Sequence, residues 1–301
     1  MDLHQLRSFC TVAEERSFTR AAGKLFLTQP AVSLQLKALE AELGEVLLER
    51  GRATLRLTTA GEILHRRAQQ AFAVLDAARE ELAALRGVVR GRVVVGTSDT
   101  NCTYVLPAVL EEFRTRYPEV ALEVRNRMSP EVVHLVLEDA VDFGLVTLPV
   151  RHRHLQSERL FARRDLFICR PDHPLARRRV VSLAQVAEHR LLVLERGSTS
   201  RALLDQAFAR ARVTPRVTMD LGAIEVIKRF VESGLGAAIV PEVAVAREVA
   251  EGRLAGVRVQ GLGPRAIGLI ERRGRRRSPA TEAFLALLRE TLGPTTRRSQ
   301  K

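Results

Sequence analysis

Between Ser17 and Leu43 the chain reads SFTRAAGKLFLTQPAVSLQLKALEAEL, a pattern that predicts two short helices joined by a tight turn. Ser17 is placed to cap a helix from Phe18 to Leu25, and Thr28 to cap a second from Gln29 to Leu43. Pro30 fits the first turn of the second helix, where an N–H has no intrahelical partner to lose. Along that helix Val32, Leu36, Leu39 and Leu43 share one stripe, while Pro30, Ser33, Leu34 and Lys37 fall roughly opposite. One face packs and the other is free. A free face of short polar, basic and apolar side chains on a supported helix suits the major groove of DNA. The alternative is an ordinary helical hairpin.

The flanking segments extend this unit. Leu3, Leu6, Phe9, Cys10 and Ala13 recur at helical spacing and predict a first helix packed beneath the pair, with Cys10 in the core. Val46 to Arg50 and Thr54 to Leu57 read as short strands flanking Gly51 and Arg52, a wing whose Arg50, Arg52 and Arg56 suit phosphate contacts; as plain surface arginines they would do nothing of the kind. From Thr59 a heptad seam begins: Leu64, Ala68, Ala71, Leu75, Ala78, Leu82 and Leu85, uninterrupted by glycine or proline before Gly87. So narrow a stripe predicts pairing with a second copy, and hence a homodimer whose two readers address an inverted repeat. The alternative partner is the body of its own chain.

Beyond Gly91 the sequence alternates between strand and helix patterns, predicting an α/β region with a parallel sheet. Strands are expected at 92–96, 121–125 and 143–146, with helices at 104–117 and 130–138. A second series follows: strands at 166–169, 191–194, 216–219 and 237–240, with helices near 201–210 and 224–233. A strand near Ile267 to Ile270 and a helix from Pro279 to Leu292 would return to the first lobe, with crossings near Phe161 and Gly263. The expected organisation is a DNA-binding domain at 1–58, a linker helix at 59–90 and a two-lobed domain at 91–301. Lobe 1 would take about 91–161 and 264–293, and lobe 2 about 162–263. Ligands settle at the carboxyl ends of strands in such sheets, so a small-molecule effector belongs between the lobes. Three hydroxyl-rich stretches point there: Thr97 to Asn101, Thr147, and Ser198 to Ser200. Hydroxyls beside helix-terminal N–H groups suit an oxyanion or carboxylate, and capping alone is the competing role for each.

The net charge of +13 invites a nucleic-acid partner, yet residues 1–60 are almost neutral, with eight Arg/Lys against seven Asp/Glu. Residues 151–179 carry nine arginines against three acids, and residues 264–301 ten Arg/Lys against three acids; these runs read as solvated surface. Cys10, Cys102 and Cys169 are odd in number, widely spaced and free of any CxxC pair, which fits reduced thiols rather than a disulfide frame or zinc site. There is no apolar run of about 18 residues and no apolar leader in MDLHQLRSF, so the expectation is a cytoplasmic protein with no membrane partner.

The order MDLHQLRSF, SFTRAA, LTQPAVSLQLKALEAELG, LLER and LRLTTAGE closely resembles the N-terminal domain of LysR-type transcriptional regulators, and GLGAAIVP at Gly234 to Pro241 matches the remainder more loosely. The resemblance implies a winged helix-turn-helix, a coiled-coil linker helix and a two-lobed effector-binding domain resembling periplasmic-binding-protein folds. Such proteins commonly assemble as homotetramers, and RNA polymerase is a partner they can address. It also implies that Gln29, Pro30, Ser33, Leu34 and Lys37 lie at the groove, with Thr28 capping the helix or contacting phosphate. Where relatives often carry a base-reading arginine, this chain has Leu34, which can touch a thymine methyl but cannot pair bidentately with guanine. In the cysteine-biosynthesis branch, sulfate-binding positions correspond here to Ser98, Thr100, Asn101, Thr147 and Thr199, with Ser129 a further lining residue. Asp99 within that set favours a zwitterionic or amine-bearing effector over a bare anion. A redox-sensing version of the family would need an activated Cys102 and a resolving thiol, and neither shows in the sequence.

Three functional classes stay in play: a ligand-responsive regulator, an enzyme carrying a DNA-binding domain, and an architectural DNA protein. The enzyme lacks chemistry, with no HExxH, GxSxG, P-loop or GxGxxG in context and no cofactor implied. The architectural class leaves some 200 residues of α/β sequence unexplained.

Overall fold

Asp2 starts the first helix: its carboxylate accepts from the Gln5 N–H at 2.8 Å while the Gln5 side chain accepts from the Asp2 N–H at 2.9 Å, two otherwise orphaned donors satisfied at once. The computed structural model describes residues 1–50, 55–84 and 89–292, and the chain divides into two compact units, residues 1–85 and 86–301.

In the first unit, α1 (Leu3–Glu15), α2 (Phe18–Leu25) and α3 (Gln29–Leu43) precede a two-stranded antiparallel wing, β1 (Leu48–Arg50) and β2 (Leu55–Leu57), and a long helix α4 (Thr59–Ala84). The caps read from the sequence are present: Ser17 Oγ accepts from the Arg20 N–H, and Thr28 Oγ1 from the Ala31 N–H. Phe9, Val12, Val32, Leu36, Leu39 and Leu47 are buried between these helices, while Leu43, expected on the same stripe, is exposed at the helix end. Glu40 ties α3 to the wing by accepting from the Leu47 N–H at 2.8 Å, and Thr58 Oγ1 caps α4 through the Gly61 N–H at 3.0 Å. The heptad seam is corrected in its first turns. Leu64 and Ala68, with Phe72 one turn further on, pack into the core made by α1 and α3, so the first turns of α4 do use their own unit. Further along the stripe turns outward, with Leu75 and Leu82 exposed by 40% and 65%. Leu85 lies outside the described residues.

The second unit opens with β3 (Gly91–Thr97), α5 (Asp99–Tyr104), α6 (Leu106–Arg116), β4 (Val120–Asn126), α7 (Ser129–Leu137), β5 (Phe143–Thr147) and β6 (Leu155–Arg163). It continues through β7 (Asp165–Cys169), β8 (Val180–Ser182), α8 (Leu183–Ala187), β9 (Arg190–Leu194), α9 (Thr199–Arg210), β10 (Arg216–Leu221), α10 (Ile224–Glu232), β11 (Ala237–Pro241), α11 (Glu242–Ala250) and β12 (Ala255–Gln260). It ends with β13 (Arg265–Arg272) and α12 (Pro279–Leu292).

Two sheets result, β4-β3-β5-β13-β6 in lobe 1 and β10-β9-β11-β7-β12-β8 in lobe 2. The fold is α/β, but neither sheet is wholly parallel: β13 runs antiparallel to β5 and β6, and β7 antiparallel to β11 and β12. The reversal follows from connectivity, because the chain leaves lobe 1 after β6, enters lobe 2 directly as β7, and comes back as β13. α12 then covers lobe 1, with Phe284 4.9 Å from the Phe113 ring and 5.6 Å from that of Phe143. The helix expected over 104–117 is α6, starting two residues later, and an additional helix, α5, separated from it at Val105, takes up residues expected to form a loop. The elements β6, β8, α8, α11 and β12 had no sequence counterpart.

The arginine runs are not simply solvated. Arg265 pairs with Asp165 at 2.6 Å, Arg275 with Asp142 at 2.6 Å, Arg277 with Glu271 at 2.5 Å and Arg289 with Glu158 at 2.7 Å, while Arg272 pairs with Asp139. All but the local Arg277–Glu271 pair fasten the returning strand and its helix to the rest of the unit.

Candidate nucleic-acid interface and interlobe cleft

The start of α3 presents a continuous exposed surface. Thr28, Gln29, Pro30, Leu34 and Lys37 are exposed and Ser33 half-buried, while Val32 and Leu36 anchor the opposite face. Leu34 is 70% exposed, an apolar side chain with no packing role among the described residues. Just before α3, Phe26 sits in the left-handed region at φ 55° as the C-cap of α2 and is 95% exposed. No sequence signal marked this ring, since periodicity alone would have buried it. Ser8 donates to the Gln35 side chain, fixing α3 against α1 from within the same turns that carry Ser33 and Lys37. Arg56 projects from β2 into solvent, Arg50 is the last residue of β1, and Arg52 falls outside the described residues.

Within the second unit a cleft of about 340 Å³ lies between the lobes. Helices α5, α7, α9 and α10 all begin at it, with Asp99, Ser129, Thr199 and Ile224, their first residues, in its lining. Two of these helices belong to each lobe. Unpaired helix-terminal N–H groups converging on one space favour a bound negative charge. Ser98, Thr100 and Thr147 line the same cleft, so five of the six expected effector residues come together there. Asn101 does not. It is fully buried, and its side-chain amide donates to the Leu145 carbonyl at 3.0 Å, beside the Thr97 hydroxyl, which donates to the same oxygen at 2.7 Å. Both side chains stitch β3 and α5 to β5.

Sequence reading missed several lining residues, Arg127, Met128, Glu131 and Glu195, while Ser198, from one of the hydroxyl-rich stretches, is in the lining. Arg127 and Met128 adjoin Ser129 in sequence and could have been found from it, whereas Glu195 is brought in only by the fold. Asp99 accepts from the Asn126 amide at 3.4 Å, and Glu131 from the Met128 N–H at 3.0 Å. The Glu195 side chain has no such partner among the described residues, leaving one carboxylate free for a donor on a ligand.

Two polar clusters join the lobes beside the cleft. Arg163, at the end of β6, donates to Ser200 Oγ at 3.3 Å, and Arg265, at the start of β13, donates to the Ser200 carbonyl at 3.1 Å. Burial is the main cause that pushes the Arg163 guanidinium down to about 10, so it stays charged at neutral pH. Across the cleft's flank, the Tyr104 hydroxyl of α5 donates to Glu225 of α10, and the buried Lys228 bridges Glu225 at 2.8 Å and Glu248 at 2.7 Å. Burial and then the Glu225 carboxylate keep the Tyr104 phenol protonated.

The cysteines lack the setting of a redox sensor. Burial, then the Asp99 carboxylate, raises the Cys102 thiol, and burial pushes Cys10 and Cys169 up to about 12. Among the described residues no group of His, Cys, Asp and Glu could hold a metal, and no helix is long and apolar enough to cross a membrane.

Residues 3–62 match the family described as bacterial regulatory helix-turn-helix protein, lysR family, and residues 86–293 match the LysR substrate binding domain. The chain belongs to the LysR family. It is a DNA-binding transcriptional regulator with an effector-binding domain. The RuBisCO operon transcriptional regulator of Allochromatium vinosum is 35% identical over 94% of each chain, and the regulator CfxR of Cupriavidus necator 32% identical over 96% of this chain and 92% of that one. Among solved structures, full-length CbnR complexed with its target DNA is 25% identical, with a TM-score of 0.70 over 97% of this chain and 100% of that one. A full-length OxyR variant from Pseudomonas aeruginosa shares the fold, with a TM-score of 0.78 over 100% and 99% of the two chains at 23% identity.

For this LysR regulator, Lys37→Ala and Ser33→Ala are each expected to weaken specific operator binding about tenfold, on the order of the 1–3 kcal/mol that a good base contact contributes. Fluorescence anisotropy on specific and scrambled duplexes checks this. Equal weakening on both would make Lys37 a phosphate contact instead.

Proposed function

We propose that this regulator reads an inverted-repeat operator with paired copies of α3, and that a small anion bearing hydroxyl or ammonium donors sets its DNA-binding state from the interlobe cleft. The convergence of helix starts from both lobes on one hydroxyl-lined space carries this reading. The anionic group sits against those helix ends and the hydroxyls of Ser98, Thr100, Ser129, Thr147 and Thr199, while Glu195 takes a donor from the rest of the ligand. Because the ligand touches both lobes, it favours one lobe arrangement over another, which is the condition for any ligand to shift an equilibrium. Gln29, Pro30, Ser33, Leu34 and Lys37 face the groove, Thr28 caps their helix, and Arg50, Arg52 and Arg56 face the phosphates.

The outward stripe of α4 joins two chains, two such dimers form a tetramer, and lobe movement changes the spacing or tilt of the readers beside RNA polymerase. The domain organisation at 1–58, 59–90 and 91–301 follows this division of labour, and the work is cytoplasmic. Several relatives 30–35% identical are named as regulators of RuBisCO genes, so the target we favour is an operon of that kind.

A thermal-shift screen of the full-length protein tests the cleft, using sugar phosphates, sulfate, thiosulfate, O-acetylserine and aromatic carboxylates. At a hundredfold excess over Kd a true effector stabilises by about 2.7 kcal/mol, a rise of roughly 5–10 °C in Tm. Thr199→Ala should remove most of that rise while leaving the ligand-free Tm within about 1 °C. No shift with any class would sink the cleft assignment. Unchanged RuBisCO transcripts in a strain lacking the gene would sink the target.

A further inference from the structure

Strand β9 ends at the effector cleft, and at its opposite end, where the parallel β11 also begins, lobe 2 carries a second cavity, open to solvent and about 550 Å³ in volume. The two are separated by the length of the strands, roughly 15 Å. The cavity's walls come from the turn after β7, the start of β9 and the turn before β11. Its charged and titratable lining is Arg170, Asp172, His173, His189 and Arg190, so four groups that are or can become cationic face a single carboxylate.

The carboxylate is already engaged. Asp172 accepts from Arg170 Nε at 3.0 Å and from its Nη2 at 2.9 Å, which leaves the guanidinium's Nη1 for another acceptor. That side chain lies over Gly234, whose φ of +79° and missing Cβ make room for it; a Cβ there would stand 3.4 Å from Arg170 Cδ and 3.7 Å from Nη1. Arg190 forms no ion pair among the described residues. The His173 and His189 rings meet edge to face with centroids 4.4 Å apart, and His173 is backed by the Phe167 ring at 5.7 Å. His173 Nδ1 accepts from the Leu175 N–H at 3.1 Å, so its proton is on Nε2. A metal would need that lone pair and the Asp172 carboxylate, and both are taken. Donors are what remain.

We propose that this cavity is a second binding site of the regulator, for a tetrahedral oxyanion such as phosphate or a phosphate monoester, held by Arg190, the free edge of Arg170 and the His173–His189 pair. Arginine forks and imidazole N–H groups match the acceptor oxygens of such an anion, and the cavity shares no lining residue with the interlobe cleft. In the empty site, burial first and then a charge on His189 hold the His173 pKa below its ordinary value, against the opposing pull of Asp172. An anion beside the rings reverses that balance. Binding therefore takes up protons, and affinity rises as pH falls from about 8 to about 6.

Isothermal titration of the full-length protein with sodium sulfate, against sodium chloride at matched ionic strength, tests the site. Sulfate keeps its double charge across this pH range, so any change of affinity belongs to the protein. The expected result is binding several-fold tighter at about pH 6 than at about pH 8. Arg190→Ala should weaken it at least tenfold, His173→Gln should flatten the pH profile, and Thr199→Ala, which alters only the interlobe cleft, should still show a sulfate-binding step that is lost on adding Arg190→Ala. The proposal is overturned by the absence of binding, by a flat profile in the unsubstituted protein, or by an Arg190→Ala variant that titrates normally. Loss of sulfate binding in Thr199→Ala would overturn it too, by placing the anion in the interlobe cleft.

Discussion

Leu75→Asp is expected to break the α4 pairing, so that the regulator sediments at micromolar concentration as a smaller species than the unsubstituted protein, and to cut its affinity for paired half-sites by about a thousandfold or more. Leu75 and Leu82 stand exposed on the half of α4 that its own unit does not use, whereas Leu64 and Ala68 are packed against α1 and α3. An aspartate at the centre of a paired apolar seam must either be desolvated without a partner or force the helices apart, at a cost of several kcal/mol. Each freed reader would then meet its half-site alone, without the second contact tied to it. Because Leu75 contributes nothing to the core beneath the reader, the Tm of the first unit should barely change. Sedimentation velocity and anisotropy on a paired operator decide the matter: a variant that keeps the assembly of the unsubstituted protein and binds normally would show that the seam is not the interface.

Lys228→Met is expected to lower the stability of the second unit by about 3–5 kcal/mol, because removing one partner of a buried ion pair strands the other. Lys228 is almost wholly enclosed, and Glu248, 2.7 Å away, is itself buried. Replacing both, as Lys228→Met with Glu248→Leu, should recover most of the loss, since matched apolar groups often serve as well as a buried ion pair. The same lysine also bridges Glu225, which receives the Tyr104 hydroxyl from the other lobe. The single variant should therefore also blunt the effect of a cleft ligand on DNA binding. Denaturant titration of both variants checks the first expectation; equal stability of the single and double variants would refute it.

The DNA reader was legible in the sequence because its signals are local. A cap, a proline in the first turn and a helical stripe all lie within a few residues of one another, and the backbone has few ways to satisfy them together. The heptad was legible as a pattern but not in its use, since no sequence rule says that Leu64 and Ala68 would serve the core below while Leu75 faced outward. Residues 97–101 look like a loop because Ser, Asp, Thr and Asn favour turns and caps; only the buried Asn101 amide, reaching the Leu145 carbonyl, shows why a helix forms there. The sheets look parallel because strand–helix alternation is the visible cue, and the two antiparallel returns depend on a lobe crossing. Glu195 in the cleft, and the cavity formed by residues 170–190 with 233–237, depend on contacts distant in sequence and left no mark there.

The placement of β13 has a consequence for the protein while it is being made. In lobe 1 this strand lies between β5 and β6, so β5 has a neighbour on only one side until residue 265 has left the ribosome, 118 residues after Thr147. At rates of about 5–20 residues per second, the unfinished lobe waits roughly 6–24 s with an open edge on a strand whose every residue is buried in the finished fold. Lobe 2 is made almost entirely within that interval and can complete its sheet first. The nascent regulator is thus most exposed to aggregation, and most in need of a chaperone, when one lobe is folded and the other still lacks the strand that joins β5 to β6.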